Sequence, residues 1–225
     1  MKTDLYIAAA PVANLTSSSS SFYTTPIVTN RISDFANLQR ASDIDAARTQ
    51  VEEALKLVGL LVPEYYSWII SVIYEIVALD SEFGNRSGSD CTIPGVICLS
   101  LPSKIDFVVE ALVHEAAHQH FYKAEKNIGL FVEKECEVFG YSPIIKKIRP
   151  ISKILLAYHA LVNTLLLFLR SKKSNDYYGI STAHISWLEE VSYEFEIQLL
   201  AQSALTEFGI FFFQSIKHQK HLIIG

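Results

Sequence analysis

The sequence predicts a mostly α-helical, single-domain fold with at most a small β element and an HExxH motif on a central helix. Three observations predict it. Ile44, Ala47, Val51, Ala54, Leu55 and Val58 recur at spacings of three and four, the period of one helix face. Phe107, Val108, Ala111 and Leu112 give a second long stretch an inner face. The run Ile154–Leu169, ILLAYHALVNTLLLFL, reads as a buried core helix. With 225 residues, half of them hydrophobic, one large domain is preferred over two small ones. The expected division is an N-terminal segment over residues 1–30, partly loop, and a single catalytic domain over residues 31–225.

The elements follow in chain order. Ser17–Ser21 is a polar run expected to be a loop or linker. Asp34–Leu61 predicts a helix that Pro63 closes. Tyr65–Leu79, apolar almost all round, predicts a second, buried helix. Asp80–Pro94 is dense in Gly, Ser, Asn and Asp and predicts a loop. Gly95–Leu101, GVICLSL, predicts a short strand. The motif helix is expected from Ile105 to Lys126, with Ser103 as N-cap and the Asp106 carboxylate at its positive end. Phe131–Phe139 is an acidic segment, and Tyr141–Pro143 a turn. Pro150 suits the first turn of the long helix that carries His159. His184–Lys217 predicts helix again. No internal repeat is present.

Composition excludes several partners. Net charge is −5 with a pI near 5.8, and only Lys146, Lys147 and Arg149 cluster closely. A nucleic-acid partner is not expected, because phosphate binding needs a concentrated positive patch. Three cysteines, Cys91, Cys98 and Cys136, without metal-type spacing suggest reduced thiols and a cytoplasmic protein. The apolar stretch near the N-terminus is interrupted by Asp4 and is too short for a signal peptide. Ile154–Leu169 falls short of the roughly 20 residues of a membrane span and holds His159 and Asn163 at its middle, so no span is expected.

The chemistry centres on His114-Glu115-Ala116-Ala117-His118. Residues i and i+4 of a helix share one face, so His114 and His118 can point their imidazoles at one ion. Glu115 lies about 100° round from His114. There it can orient water or hold an outer hydrogen bond without binding the metal. His120 lies about 200° round from His118, which reads as a surface or outer-sphere histidine. Two residues compete for the third ligand position. Glu137 is separated from His118 by eighteen residues. It would complete a gluzincin-type zinc peptidase with Glu115 as general base. The acidic run Glu133, Glu135, Glu137 also reads as a solvated helix face. His159 lies in the most apolar helix of the chain, where a histidine needs a partner. Three neutral imidazoles would leave the ion its full charge and open positions.

The segments around the motif resemble the HExxH-motif peptide-modification proteins of biosynthetic clusters for ribosomally made, post-translationally modified peptides. The matching stretches are Pro94-Gly95-Val96-Ile97-Cys98-Leu99-Ser100, Leu112-Val113-His114-Glu115-Ala116-Ala117-His118, Tyr141-Ser142-Pro143, Arg149-Pro150, Tyr158-His159-Ala160 and Leu205-Thr206-x-x-Gly209. They span roughly residues 85–213. The resemblance implies a non-haem Fe(II), 2-oxoglutarate-dependent hydroxylase of a side-chain β-carbon in a precursor peptide. It implies His114, His118 and His159 as iron ligands, Glu115 in an outer role, and Arg149 as the cation for the cosubstrate's far carboxylate. Ser87, Ser89 and Asp90, ahead of the predicted strand, are placed to approach the site. The alternatives are the zinc peptidase above and a non-catalytic peptide-binding protein with a vestigial metal site.

Overall fold

The structure is a computed structural model and describes residues 25–29, 39–132, 138–173, 181–200 and 203–224. The serine run at 17–21 and Glu133, Glu135, Cys136 and Glu137 lie outside the described residues. Helix makes up 63% and strand 15%, so the fold is mostly α, as the apolar periodicity predicts. The chain divides into two compact units, one drawn from Val12–Gln119 and the other from His120–Gly225.

In the first unit, helix α1 (Ile44–Leu61) starts at Asp43, whose side chain accepts from Ala46 N. The sequence placed this start at Asp34. The residues just before Asp43 are instead spent on a strand end: Asp80 N donates to Gln39 O and Ala41 N donates to Ala78 O. The buried face of α1 is Ala47, Val51, Ala54, Leu55 and Val58, the stripe read from the sequence except Ile44, which is half-buried at the helix start. Pro63 both ends α1 and opens α2 (Pro63–Ile70), because its missing N–H and fixed φ suit a first turn.

The expected helix over Tyr65–Leu79 is corrected at its second half. Helix α2 stops at Ile70, the chain turns, and Glu75–Leu79 forms strand β2, buried at every position. A strand covered on both faces reads as a continuous apolar run, as does a buried helix. Strands β1 (Ile27–Thr29), β2, β3 (Ser87–Ser89) and β4 (Val96–Ser100) form one sheet in the order β1-β2-β4-β3. Strands β1, β2 and β4 run parallel, and β3 pairs antiparallel to β4 at the edge. Strand β4 is the one the sequence predicts. Strand β3 and a short turn of 3-10 helix at Ser81–Phe83 lie inside the segment read as loop.

Helix α3 (Ile105–Ile128) carries the motif, with the start predicted for it. Ser103 is not its cap. The Ser103 hydroxyl donates to Asn85 Oδ1, and its N–H donates to Gln50 Oε1. Gln119 ties α3 to the sheet by accepting from Gly95 N at 2.8 Å. Gly95 has φ of 78°, and a Cβ there would lie 2.0 Å from the Tyr74 ring, so only glycine fits.

The second unit is built on α4 (Ile151–Lys173), α5 (Thr182–Leu200) and α6 (Glu207–Ile224), with a hairpin of β5 (Phe139–Ser142) and β6 (Lys147–Pro150). Pro150 ends β6 immediately before α4. Helix α4 is long and apolar enough to cross a membrane, yet 83% of that window is buried inside the protein. Asn163 Nδ2 donates to His159 O and Thr164 Oγ1 to Ala160 O within the helix, and Tyr158 OH donates to Glu196 Oε2 of α5. Buried Glu196 on α5 receives Lys220 Nζ at 3.1 Å and Lys217 Nζ at 3.3 Å from α6. The single helix expected over His184–Lys217 is interrupted. The backbone near Ala204–Thr206 pairs with Leu130–Val132 instead, through Val132 N to Ala204 O and Thr206 N to Leu130 O.

Candidate metal centre

The motif lies in the most enclosed stretch of α3. From Ala111 to His120 every residue is buried except His114 and His118, which keep partial access. Small residues explain the depth: Ala111, Ala116 and Ala117 let the helix sit close to its neighbours. The two imidazoles stand on one face with ring centroids 4.6 Å apart. Together with Glu115 they form a group whose ligand atoms all lie within 4.8 Å of one another.

Glu115 is 2% exposed and fully engaged. Its Oε1 accepts from Ser87 Oγ and its Oε2 from Ser89 Oγ, both at 2.7 Å. His118 Nδ1 lies 3.5 Å from the same Oε2 and 3.4 Å from Ser89 Oγ. A proton held on Nδ1 by that carboxylate puts the His118 lone pair on Nε2, the atom that would face a metal. Burial pushes the Glu115 carboxyl up, but the hydrogen bond and charge of His118, the charge of His114 and the Ser87 hydroxyl outweigh it, leaving it at about 2. His114 is held down to about 4, first by burial and then by the charge of His118, with Glu115 partly opposing. A histidine neutral at physiological pH is already in its ligand form.

Comparison with known protein families and with curated proteins gives no match.

The remaining predicted residues are placed as follows. His120 is 2% exposed, so the surface reading is corrected: the turn of α3 that carries it is covered on this side as well. His159 is wholly buried in α4, its ring 5.0 Å from Phe212 and 6.3 Å from Phe121. Arg149 sits half-buried on β6 opposite Gly140. Asp90 Oδ1 accepts from Thr92 N and Thr92 Oγ1. Glu137 lies outside the described residues. Ser87 and Ser89 were legible only as neighbours in sequence. Their shared role in binding Glu115 has one sequence signal, the Ser-x-Ser alternation that puts both side chains on one face of a strand.

Proposed function

We propose that the chain is a non-haem Fe(II), 2-oxoglutarate-dependent oxygenase that hydroxylates a side-chain β-carbon of a ribosomally made peptide. The observation that carries the metal reading is the pair His114 and His118, converging on one face of a buried helix while keeping access. The donor set fits a borderline metal such as iron: two imidazoles, with a carboxylate behind them. The choice between oxygenase and peptidase rests on Glu115. A peptidase needs that carboxylate turned to a metal-bound water as general base. Here both of its oxygens already accept hydroxyl protons from β3. That arrangement favours an orienting role, and it supports the family resemblance carried by the surrounding segments.

Iron bound with 2-oxoglutarate would supply the oxidising power to convert a C–H bond, O₂ and the cosubstrate into alcohol, succinate and CO₂. The protein's own contribution is positional. His114 presents a neutral imidazole, and Glu115 holds the ring of His118 while both rings keep access. His159 and Arg149 are proposed on the sequence alone, as third ligand and as the cation for the cosubstrate.

The test is anaerobic purification with metal analysis, followed by incubation with 2-oxoglutarate and candidate precursor peptides. A mass gain of one oxygen with matching succinate release is expected. Zinc in the protein with chelator-sensitive peptide cleavage would transfer the reading to a peptidase. Succinate release that persists in His159→Ala would remove that residue from the ligand set, and a Glu137→Ala variant without metal would put Glu137 there. Absence of any bound metal would leave a peptide-binding protein.

A further inference from the structure

Strand β3 reads Ser87-Gly88-Ser89, and alternate residues of a strand share a face. Ser87 and Ser89 therefore look the same way, toward the helix that carries Glu115. Each hydroxyl takes a different oxygen of one carboxylate, both at 2.7 Å. Gly88 looks the other way and pairs with Cys98 of β4. A Cβ at Gly88 would lie 3.3 Å from Cys98 Sγ, tighter than ordinary contact.

A carboxylate bound by one donor can swing about its χ angles, whereas one bound at both oxygens cannot without losing a bond. Glu115 Oε2 also lies 3.5 Å from His118 Nδ1, with Ser89 Oγ 3.4 Å from the same nitrogen. The contacts thus run from the edge strand to one nitrogen of one prospective ligand, through the fixed carboxylate and through Ser89 itself. We infer that Ser87 and Ser89 are positioning residues, a hydroxyl bracket that locks Glu115 as the hydrogen-bond acceptor of His118 and so directs His118 Nε2 to the metal. This rests on the metal reading proposed above, although the bracket itself is a property of the protein without metal. Partners of this outer kind typically set metal affinity by about 10–100-fold.

The experiment has two arms on the same proteins. In the metal-free protein, nitrogen-15 correlation spectra of the histidine rings report the His118 tautomer. The expected result is the Nδ1–H form in wild type and a mixture in Ser87→Ala and Ser89→Ala. Retention of the wild-type tautomer in both alanine variants would overturn the inference. In the second arm, Co(II) is titrated in and displaced with zinc. The alanine variants are expected to bind about 10–100-fold more weakly, with a shifted visible Co(II) spectrum, and Ser87→Thr and Ser89→Thr to recover affinity because the hydroxyl is kept. Circular dichroism selects folded variants, and the threonine pair serves if an alanine variant does not fold. Wild type that binds no Co(II) or zinc defeats the metal reading, with the tautomer arm still deciding the bracket. Wild type that binds, beside alanine variants of equal affinity and spectrum, defeats the bracket alone.

Discussion

His114 and Glu115 make the first unit acid-sensitive at the level of single protons. An unfolded histidine titrates near 6.5, whereas His114 in the fold is held down to about 4. Between those values the unfolded chain binds a proton that the folded chain does not, so acid favours unfolding. The contribution of His114 is complete above pH 6.5 and is lost as pH falls to about 4. Glu115, held near 2 against an ordinary 4.5, extends the loss from pH 4.5 downward. Urea midpoints measured with chelator present should therefore drop from pH 7 to pH 4.5. The drop should be shallower in His114→Asn, and equal slopes in the two proteins would refute the assignment. The two described thiols divide in a similar way. Burial, then the Glu115 charge, pushes Cys98 up to about 12, while Cys91 is an exposed free thiol. Since the thiolate is the nucleophile, peptide mapping after brief alkylation at pH 8 should find Cys91 modified and Cys98 intact; labelling of Cys98 at a similar rate would contradict the burial. Of these residues the sequence showed the histidine pair and the flanking glutamate through spacing alone. It could not show that Glu115 is occupied, since the donors arrive from a strand that reads as loop.

Elements were legible where one face is apolar and the other is not. Helix α1 meets that condition and carries the face its periodicity predicts; α3 is covered nearly all round from Ala111 to His120, so its period marks the helix but not a single inner face. Strand β2 does not, because Glu75–Leu79 is buried on all sides and has no polar face to set a period. The break between α5 and α6 was hidden for another reason: it is made by long-range pairing with Leu130–Val132, not by a local breaker. Once that pairing is seen, the Leu205-Thr206-x-x-Gly209 segment has a physical account. Thr206 Oγ1 accepts from Gly209 N at 3.1 Å and donates to Gly129 O at 2.7 Å, capping α6 while fastening it to the chain after α3. A Cβ on Gly209 would lie 2.0 Å from Leu130 O, a backbone atom. Thr206→Val, nearly isosteric, should cost about 1 kcal/mol through the lost cap. Gly209→Ala should cost about 1–3 kcal/mol or more, because backbone has to move. Urea unfolding measures both. A Gly209→Ala protein as stable as wild type would show that the close approach to Leu130 is absent.

At the scale of the whole molecule, composition pointed to a well-filled, mostly helical fold, which the structure has; its division into two compact units has no mark in the sequence. The reason lies in where the units part. Their boundary falls between Gln119 and His120, inside the continuous helix α3, with no Gly-, Pro- or Ser-rich linker to mark it. The prospective ligand pair belongs to the unit drawn from Val12–Gln119, so metal binding is a stability statement about that unit first. A ligand that binds only the folded form stabilises it by RT ln(1 + [L]/Kd), about 2.7 kcal/mol at a hundredfold excess over Kd. For a chain of 225 residues each kcal/mol moves Tm by about 2–4 °C, so an increase of roughly 5–11 °C is expected. The two tryptophans provide separate reporters. Trp68 is buried in the first unit and Trp187 is 41% exposed in the second. In a Trp187→Phe protein, emission reports from Trp68, in the unit that holds the ligand pair. Its melting midpoint should rise with Fe(II) under anaerobic conditions or with Co(II), fall back on addition of chelator, and stay unchanged by metal in His114→Ala and His118→Ala. A midpoint indifferent to every divalent metal tested, in a protein whose Trp68 transition is otherwise cooperative, would mean that the convergence of His114 and His118 does not hold an ion.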